Sequence, residues 1–84
     1  MKTEVRIIPI RNEEGVIAQI ETGLKNYNMT YQRSDFGFMH RSVTISEVAD
    51  VDTLFEALDT LCRGEIVKEI MFITPGGYIM NFRP

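Results

Sequence analysis

The sequence predicts an α+β domain in which two helices cover one face of an antiparallel sheet. Two amphipathic helical patterns, one beginning near residue 13 and one near residue 50, are each flanked by short segments rich in β-branched residues. Turn-forming residues separate these segments. With 84 residues, the chain is long enough for one domain with a single modest core.

The chain begins with a predicted strand followed by a helix. Residues 3–10 alternate as a strand does, and Pro9 indicates an edge position or a strand terminus. Residues 13–27 follow the period of a helix, with Asn12 as its expected cap. Gly23 interrupts this helix at a cost of roughly 1 kcal/mol relative to alanine. It indicates either close packing against a strand or a partner chain, or a tolerated weak point. The apolar stripe of the helix consists of Val16, Ile17, Ile20, Leu24 and Tyr27.

Two further strands are predicted in the middle of the chain. The second strand is short and covers residues 29–33. Residues 34–37 have the composition of a turn that ends in glycine. The third strand covers residues 38–48, with one face packed and the other largely polar, because apolar and polar side chains alternate along most of it.

The second helix has the strongest periodic signal in the chain. Asp50 or Asp52 caps it, and it ends near residue 63, where Gly64 follows in the position of a C-cap glycine. Its apolar stripe consists of Val51, Leu54, Phe55, Leu58, Leu61 and Cys62.

The last third of the chain predicts two strands joined by a tight turn. Strand four covers residues 66–74, and residues 75–77 form the turn into strand five, residues 78–82. Strand four is apolar on both sides, with one set of side chains expected to be Ile66, Ile70 and Phe72 and the other Val67, Met71 and Ile73. Since helices cover only one face, we expect the second face or the edge to need a partner, in a homodimer or a larger complex.

The order of the elements is β-α-β-β-α-β with an added terminal strand. Two crossover helices of this kind are typical of a ferredoxin-like sandwich. We therefore predict one domain over residues 1–84, with a core over residues 4–73 and a C-terminal hairpin extension over residues 74–84.

Composition limits the classes of partner. A net charge of −3 argues against unspecific binding to nucleic acid or to a membrane surface. No apolar run approaches the ~20 residues of a membrane span, and the first residues lack the apolar region of a signal peptide. Cys62 is the single cysteine, so no disulfide forms within the chain, and a reducing, cytoplasmic location is expected. One cysteine and one histidine do not make a zinc site, and no metal or cofactor is predicted.

No catalytic constellation is recognisable in the sequence. His40 lies on the polar face of a predicted strand, and Cys62 lies on the buried stripe of the second helix. No serine or cysteine stands in a nucleophile context, and the turn at residues 74–77 lacks a phosphate-loop pattern. The sequence predicts a protein that is not an enzyme.

The turn between strand one and helix one has the sequence Arg11-Asn12-Glu13-Glu14-Gly15-Val16. It resembles the first turn of ACT domains, commonly Asn/Asp-x-Pro-Gly-Val, although Glu14 stands where that family usually has proline. The resemblance continues through helix one, Asn28-Met29, helix two and residues 66–70, and it covers residues 4–73. Within the family, the chain is most similar to the small regulatory subunits of acetolactate synthase.

The resemblance implies a non-catalytic regulatory domain that senses a small effector, usually an amino acid, as a dimer or as the regulatory subunit of an enzyme. Carried over by position, the effector site consists of Asn12, Glu13, Glu14, Gly15, Val16 and Ile17, together with Asn28 and Met29 of the facing subunit. The physical chemistry agrees, because N–H groups at a helix start hold a carboxylate and an apolar wall accepts an aliphatic side chain. Glu13 or Glu14 is a candidate for holding the ammonium group.

Two other functions fit parts of the sequence. One is a protein-interaction module, an inhibitor or adaptor without a small ligand, with Tyr78, Met80 and Phe82 as the partner interface. The other is RNA binding, because Phe36 and Phe38 resemble the base-stacking aromatics of RNA-recognition motifs. The RNA hypothesis is weakened by the acidic net charge and by the absence of an aromatic residue from residues 4–10.

Overall fold

A computed structural model gives the fold of this chain and describes residues 3–35, 41–46, 48 and 50–84. Seven elements follow one another in the order expected from the sequence. They are β1 (Glu4–Pro9), α1 (Glu14–Asn26), β2 (Gln32–Asp35), β3 (Arg41–Ile45), α2 (Val51–Arg63), β4 (Val67–Ile73) and β5 (Ile79–Phe82). Residues 36–40, 47 and 49 lie outside the described residues. The predicted turn over residues 34–37 and the predicted third strand over residues 38–48 are therefore compared with the structure only at the remaining positions.

The five strands form one sheet in the order β2-β3-β1-β4-β5, and every neighbouring pair is antiparallel. The α+β prediction is therefore confirmed. The order of the first four strands, with β1 between β3 and β4 and with two crossover helices, is consistent with a ferredoxin-like fold. β5 adds a strand beside β4 within the same chain.

The core lies between the two helices and one face of this sheet. Val5 pairs with Ile45 on one side and Phe72 on the other, and Ile7 pairs with Val43 and Ile70 in the same way. Side chains directly opposite each other in neighbouring strands share a face, so these residues form one apolar layer. The helices contribute the other layer of the core: Val16, Ile17, Ile20, Leu24, Leu54, Ala57, Leu58 and Leu61.

β4 differs from its prediction at one end because its pairing with β1 is irregular. Ile8 pairs with Glu69 and Pro9 with Val67, so Lys68 is an extra residue that bulges out of the ladder. The bulge turns Val67 towards the core, where it lies with Ile70 and is buried. The prediction that placed Val67 on the face opposite Ile70 was wrong for this reason.

Strand positions and ends also differ in detail. Pro9 ends β1 as predicted, but β1 is a central strand, so the alternative of an edge position was wrong. β2 begins at Gln32 rather than at residue 29, because residues 27–31 form the connection that leaves α1. Ser42 and Thr44, predicted on the polar face of β3, are both buried.

Helix boundaries follow the predicted caps only in part. The N-cap of α1 is Glu13 rather than Asn12, and its side chain makes no capping hydrogen bond. Asp50 caps α2 by accepting the backbone N–H of Asp52 at 3.1 Å. Gly64 is the C-cap of α2 as expected, but its φ of −74° is right-handed, and the left-handed residue is Glu65 with φ 56°.

The two helices meet at Gly23. A Cβ added there would lie 2.6 Å from Cδ2 of Leu61, which is below any normal carbon contact. The absence of a side chain therefore lets α1 approach α2 at this point. Close packing is therefore the observed role of Gly23, but the expected neighbour, a strand or a partner chain, was wrong, because the contact is with the second helix.

We expect Gly23→Val to destabilise the protein by about 1–3 kcal/mol, because the added atoms overlap the buried Leu61 side chain. The measurement is the free energy of unfolding in urea. Combining the change with Leu61→Ala should remove part of the overlap, so the double variant should lose less than the sum of the two single variants. Strict additivity of the two losses would contradict this contact.

We expect Glu65→Gly to raise the free energy of unfolding by roughly 1 kcal/mol, because glycine adopts a left-handed φ without the Cβ penalty that Glu65 carries. Glu65→Ala is the matched control, since it removes the carboxylate and keeps the Cβ. Urea unfolding of both variants separates backbone strain from side-chain charge. An equal gain in the alanine variant would show that strain is not the cause.

Candidate functional site

The residues expected to bind an effector lie at the two ends of α1. Residues 12–17 form the start of the helix, and Asn28 and Met29 follow its end. A helix of 13 residues is roughly 20 Å long at 1.5 Å per residue. One chain therefore does not bring the two groups together, and the expectation that they come from facing subunits stays a prediction.

The start of α1 offers backbone donors without a side-chain acceptor from its own cap. Glu13 is extended and makes no side-chain cap hydrogen bond, while its carbonyl accepts the N–H of Ile17 at 3.1 Å. The N–H groups in the first turn of a helix have no partner inside the helix. Such a start attracts anions, and a carboxylate is the anion that the resemblance implies.

The side chains around this turn limit what it binds. Gly15 has no positive φ, and a Cβ added there would meet nothing within 4 Å, so neither unusual φ nor close packing within the chain explains it. The space at Gly15 is free for a ligand. Val16 and Ile17 are buried in the core, so only their backbone groups are available.

Both glutamates that were candidates for holding an ammonium group are already paired. Glu14 contacts both guanidinium ends of Arg33, at 2.7 and 2.9 Å, and Arg41 at 3.4 Å. The hydrogen bond from Arg33 lowers the pKa of Glu14 below its ordinary value. Glu13 lies 3.3 Å from Arg11, with both side chains exposed. An effector ammonium at this turn would compete with these cations.

A cavity of about 560 Å³ lies beyond the end of α1. Asn28 adopts a left-handed conformation, with φ 57°, and its N–H donates to the carbonyl of Lys25 at 2.9 Å. The chain then runs towards β2 and leaves a space bounded by the end of β3 and the start of α2. The lining residues are Tyr27, Asn28, Met29, Thr30, Tyr31, Gln32, Thr44, Ile45, Ser46, Val48, Asp50 and Thr53.

The lining of the cavity is amphipathic. Tyr27, Met29, Tyr31, Ile45 and Val48 provide aromatic and aliphatic surface, and side-chain amides and hydroxyls provide hydrogen-bonding groups. The Tyr27 hydroxyl lies 3.0 Å from the hydroxyl of Thr60, which fixes the ring against α2. A small molecule with an apolar part and polar ends matches such a lining.

Asp50 is the one charged residue among the described lining residues. Its carboxylate accepts hydrogen bonds from the hydroxyl of Thr53 at 2.6 Å and from the N–H of Asp52 at 3.1 Å. These bonds, the Thr53 bond first, lower its pKa below the ordinary value, so the group is ionised at neutral pH. A cationic group of a ligand would be favoured beside it.

The sequence analysis found two of the cavity residues, Asn28 and Met29, and missed the others. Tyr31 was expected in a strand, and Asp50 was recognised only as a helix cap. The sequence signal for the connection between α1 and β2 was the pair of asparagines, Asn26 and Asn28. Asparagine favours a left-handed turn, and Asn28 adopts one. Such a turn indicates that the residues after α1 form a connection rather than the start of β2.

The remaining candidate residues lie elsewhere. Tyr78, Met80 and Phe82 are exposed on or beside β5. Phe36, Phe38 and His40 lie outside the described residues. Cys62 is half-buried, and burial raises the pKa of its thiol. Within the described part of the chain, no group of three or more His, Cys, Asp or Glu side chains is placed to hold a metal ion. No helix among the described residues has the length and apolar character that crossing a bilayer requires.

The Asp50 cap should make stability depend on pH in the acid range. A carboxyl whose folded-state pKa is lowered contributes stability above its unfolded pKa and loses it as pH falls through the folded value. We expect the melting temperature of Asp50→Asn to fall less than that of the unchanged protein between about pH 4 and pH 2.

Asp52→Asn is the control for this experiment, because it removes a carboxylate from the same helix start and keeps the backbone N–H that Asp50 accepts. It should retain the acid dependence that Asp50 provides. Identical melting curves for Asp50→Asn and the unchanged protein across this range would contradict the role of the cap.

Comparisons of the chain with family models, with curated proteins and with solved structures give no match.

Proposed function

We propose that this chain is a non-catalytic regulatory domain of the ACT type, which senses a small effector, with an amino acid as the favoured class. The observation that carries the proposal is the amphipathic cavity that Asn28 and Met29 share with the start of α2. The strand order adds support, because β2-β3-β1-β4 under two helices is the arrangement that a ferredoxin-like, ACT-like domain has. Cys62 as the single cysteine supports a cytoplasmic location.

The cavity is large enough for an amino acid and has polar groups that match one. Ligand sites usually enclose about 300–1,000 Å³, and the cavity of 560 Å³ lies within this range. Asp50 provides an acceptor for an ammonium group, and the amides of Asn28 and Gln32 provide donors for a carboxylate. The rings and Met29 provide apolar contact for an aliphatic or aromatic side chain.

The backbone N–H groups at the start of α1 are a second group of donors for the effector. In one chain the start of α1 lies roughly 20 Å from the cavity. Under this proposal a second subunit, in a homodimer or in a regulated enzyme, would therefore supply the surface that faces the cavity. An effector bound between subunits would then favour one arrangement of the two, which is how a small ligand changes the state of a complex.

A thermal-shift screen with the twenty amino acids tests the proposal. A ligand that binds only the folded state adds roughly 2.7 kcal/mol at a hundred times its dissociation constant, and the melting temperature rises. We expect one amino acid, or a few of related shape, to produce this rise. No rise with any amino acid would contradict the effector proposal.

Two variants then locate the effector. Asn28→Gly removes the side-chain amide and keeps the left-handed backbone, so it tests the cavity without straining the turn. Gly15→Ala adds a methyl group where the chain leaves open space, and on its own it should stabilise α1 by up to about 1 kcal/mol. Loss of the thermal shift in Asn28→Gly alone places the effector in the cavity. Loss in both variants places it between the cavity and a facing α1.

A protein-interaction module without a small ligand is the second candidate. The exposed apolar side chains of Tyr78, Ile79, Met80 and Phe82 favour it, since soluble proteins seldom leave such a cluster uncovered. An unchanged melting temperature with every amino acid, together with binding of a different protein that depends on these four residues, would favour this candidate over the first.

A further inference from the structure

β5 is the last strand of the sheet, and among the described residues no strand pairs with its outer edge. The N–H of Thr74 donates to the carbonyl of Tyr78 at 2.9 Å, so this pair is hydrogen-bonded across the hairpin. Hydrogen-bonded and non-bonded pairs alternate in an antiparallel ladder. Met80 and Phe82 therefore direct their backbone groups to β4, and Ile79 and Asn81 direct theirs outwards.

Four of the five residues from Tyr78 to Phe82 are apolar and exposed, three on one face of the sheet and Ile79 on the other, and the fifth is Asn81. Tyr78 is 77% exposed, Met80 68%, Ile79 55% and Phe82 53%. Proteins usually protect an edge strand with charges, prolines or bulges. β5 has none of these between Ile79 and Phe82.

α2 extends the apolar surface on the helix-covered side of the sheet. Val51 and Phe55 are four residues apart, so they share one flank of α2, and each is 56% exposed. The opposite flank faces α1, since Thr60 contacts Tyr27. α1 packs over β3 and β1 and is joined to β2 by the ion pairs of Arg33, so the Val51–Phe55 flank, on the far side of α2 from α1, faces the β4 and β5 side.

We propose that β5 pairs antiparallel with the β5 strand of a second copy, with a twofold axis at Met80, so that two sheets join into one of ten strands. In this register Ile79 faces Asn81 of the second copy, and the outward N–H and C=O groups of both residues bond across the axis. Met80 faces its own counterpart, and Tyr78 faces Phe82. The sequence of aromatic, methionine and aromatic residues is symmetric about Met80, which makes the strand self-complementary.

The exposed apolar area on this side of the molecule is close to the area that a stable protein–protein interface buries. At the observed exposures, each apolar side chain of the surface offers roughly 100 Å². Val51, Phe55, Tyr78, Ile79, Met80 and Phe82 together offer about 1,200 Å² in a symmetric pair, which is the most that these side chains can bury. This is the lower end of the range for specific interfaces. The pairing should consequently depend on concentration.

This pairing goes beyond the proposed effector site and does not depend on it. The cavity lies beside β2 and β3, and β5 is at the other edge of the sheet. The β2 edge therefore stays available for a regulated subunit. Amino-acid binding and self-association are measured separately, so the failure of one does not obscure the result for the other.

The first test measures mass by light scattering from micromolar to submillimolar concentration. Asn81→Pro removes an outward N–H and keeps the hydrogen bonds to β4, and Asn81→Thr is the control that keeps the N–H. We expect the unchanged protein and Asn81→Thr to approach twice the monomer mass, and Asn81→Pro to associate at least tenfold more weakly. A monomeric unchanged protein at every concentration, or equal association of Asn81→Pro, would overturn the proposal.

The second test measures the register by disulfide crosslinking in a Cys62→Ser background. At the proposed axis the two residues at position 80 form a non-bonded pair with Cα atoms about 4.5 Å apart, which is within disulfide range. We expect Met80→Cys to form a covalent dimer on mild oxidation. Asn81→Cys should not, because its counterpart is displaced by two residues along the strand. Crosslinking of Asn81→Cys instead, or of neither variant, would overturn the proposed register.

Discussion

The central strand β1 is the constraint on which the rest of the structure depends. Val5 and Ile7 are completely buried, and each is paired on both sides, so the register of β3 and β4 is fixed relative to the same two side chains. A slip of one residue would expose both of them to solvent and bring Arg6 into the core. The position of the cavity at one edge of the sheet and of β5 at the other follows from this register.

Ion pairs on the flank of α1 affect both the strand that borders the cavity and the groups that remain for a ligand at the start of the helix. Arg33 joins β2 to the flank of α1 through Glu14 and Glu21, which orients the strand that borders the cavity. The same pairs occupy the carboxylates near the start of α1 and leave its backbone donors as the attractive feature for an anion. Beyond the other end of α1, Asp50 at the start of α2 is the ionised group that borders the cavity. The start of α1 and the cavity, roughly 20 Å apart in one chain, therefore attract opposite charges.

Much of the fold was predictable from the sequence, because periodicity identifies the buried faces directly. The apolar side of β3 was found in this way, and so were Leu54, Leu58 and Leu61 of α2. Val51 and Phe55 were predicted on the same stripe of α2, but each is 56% exposed, so that part of the prediction was wrong. The bulge at Lys68 was not, since Ile66, Val67 and Ile70 are all apolar and the sequence pattern does not indicate which of them faces the core. The cavity was beyond such analysis, because four separate elements enclose it. Asn28 and Met29 were identified through a family resemblance, and Asp50 only as a cap.

The two edges of the sheet differ in charge, and under the proposed pairing this difference limits the assembly to two copies. β2 carries the charged Arg33, which is held in ion pairs, whereas β5 is uncharged between Ile79 and Phe82. Joining β5 of one molecule to β2 of the next would repeat without end and produce a filament. Pairing of like edges closes after two molecules. The contrast between a charged and an uncharged edge therefore acts against open-ended growth, even though an apolar strand is exposed on every chain.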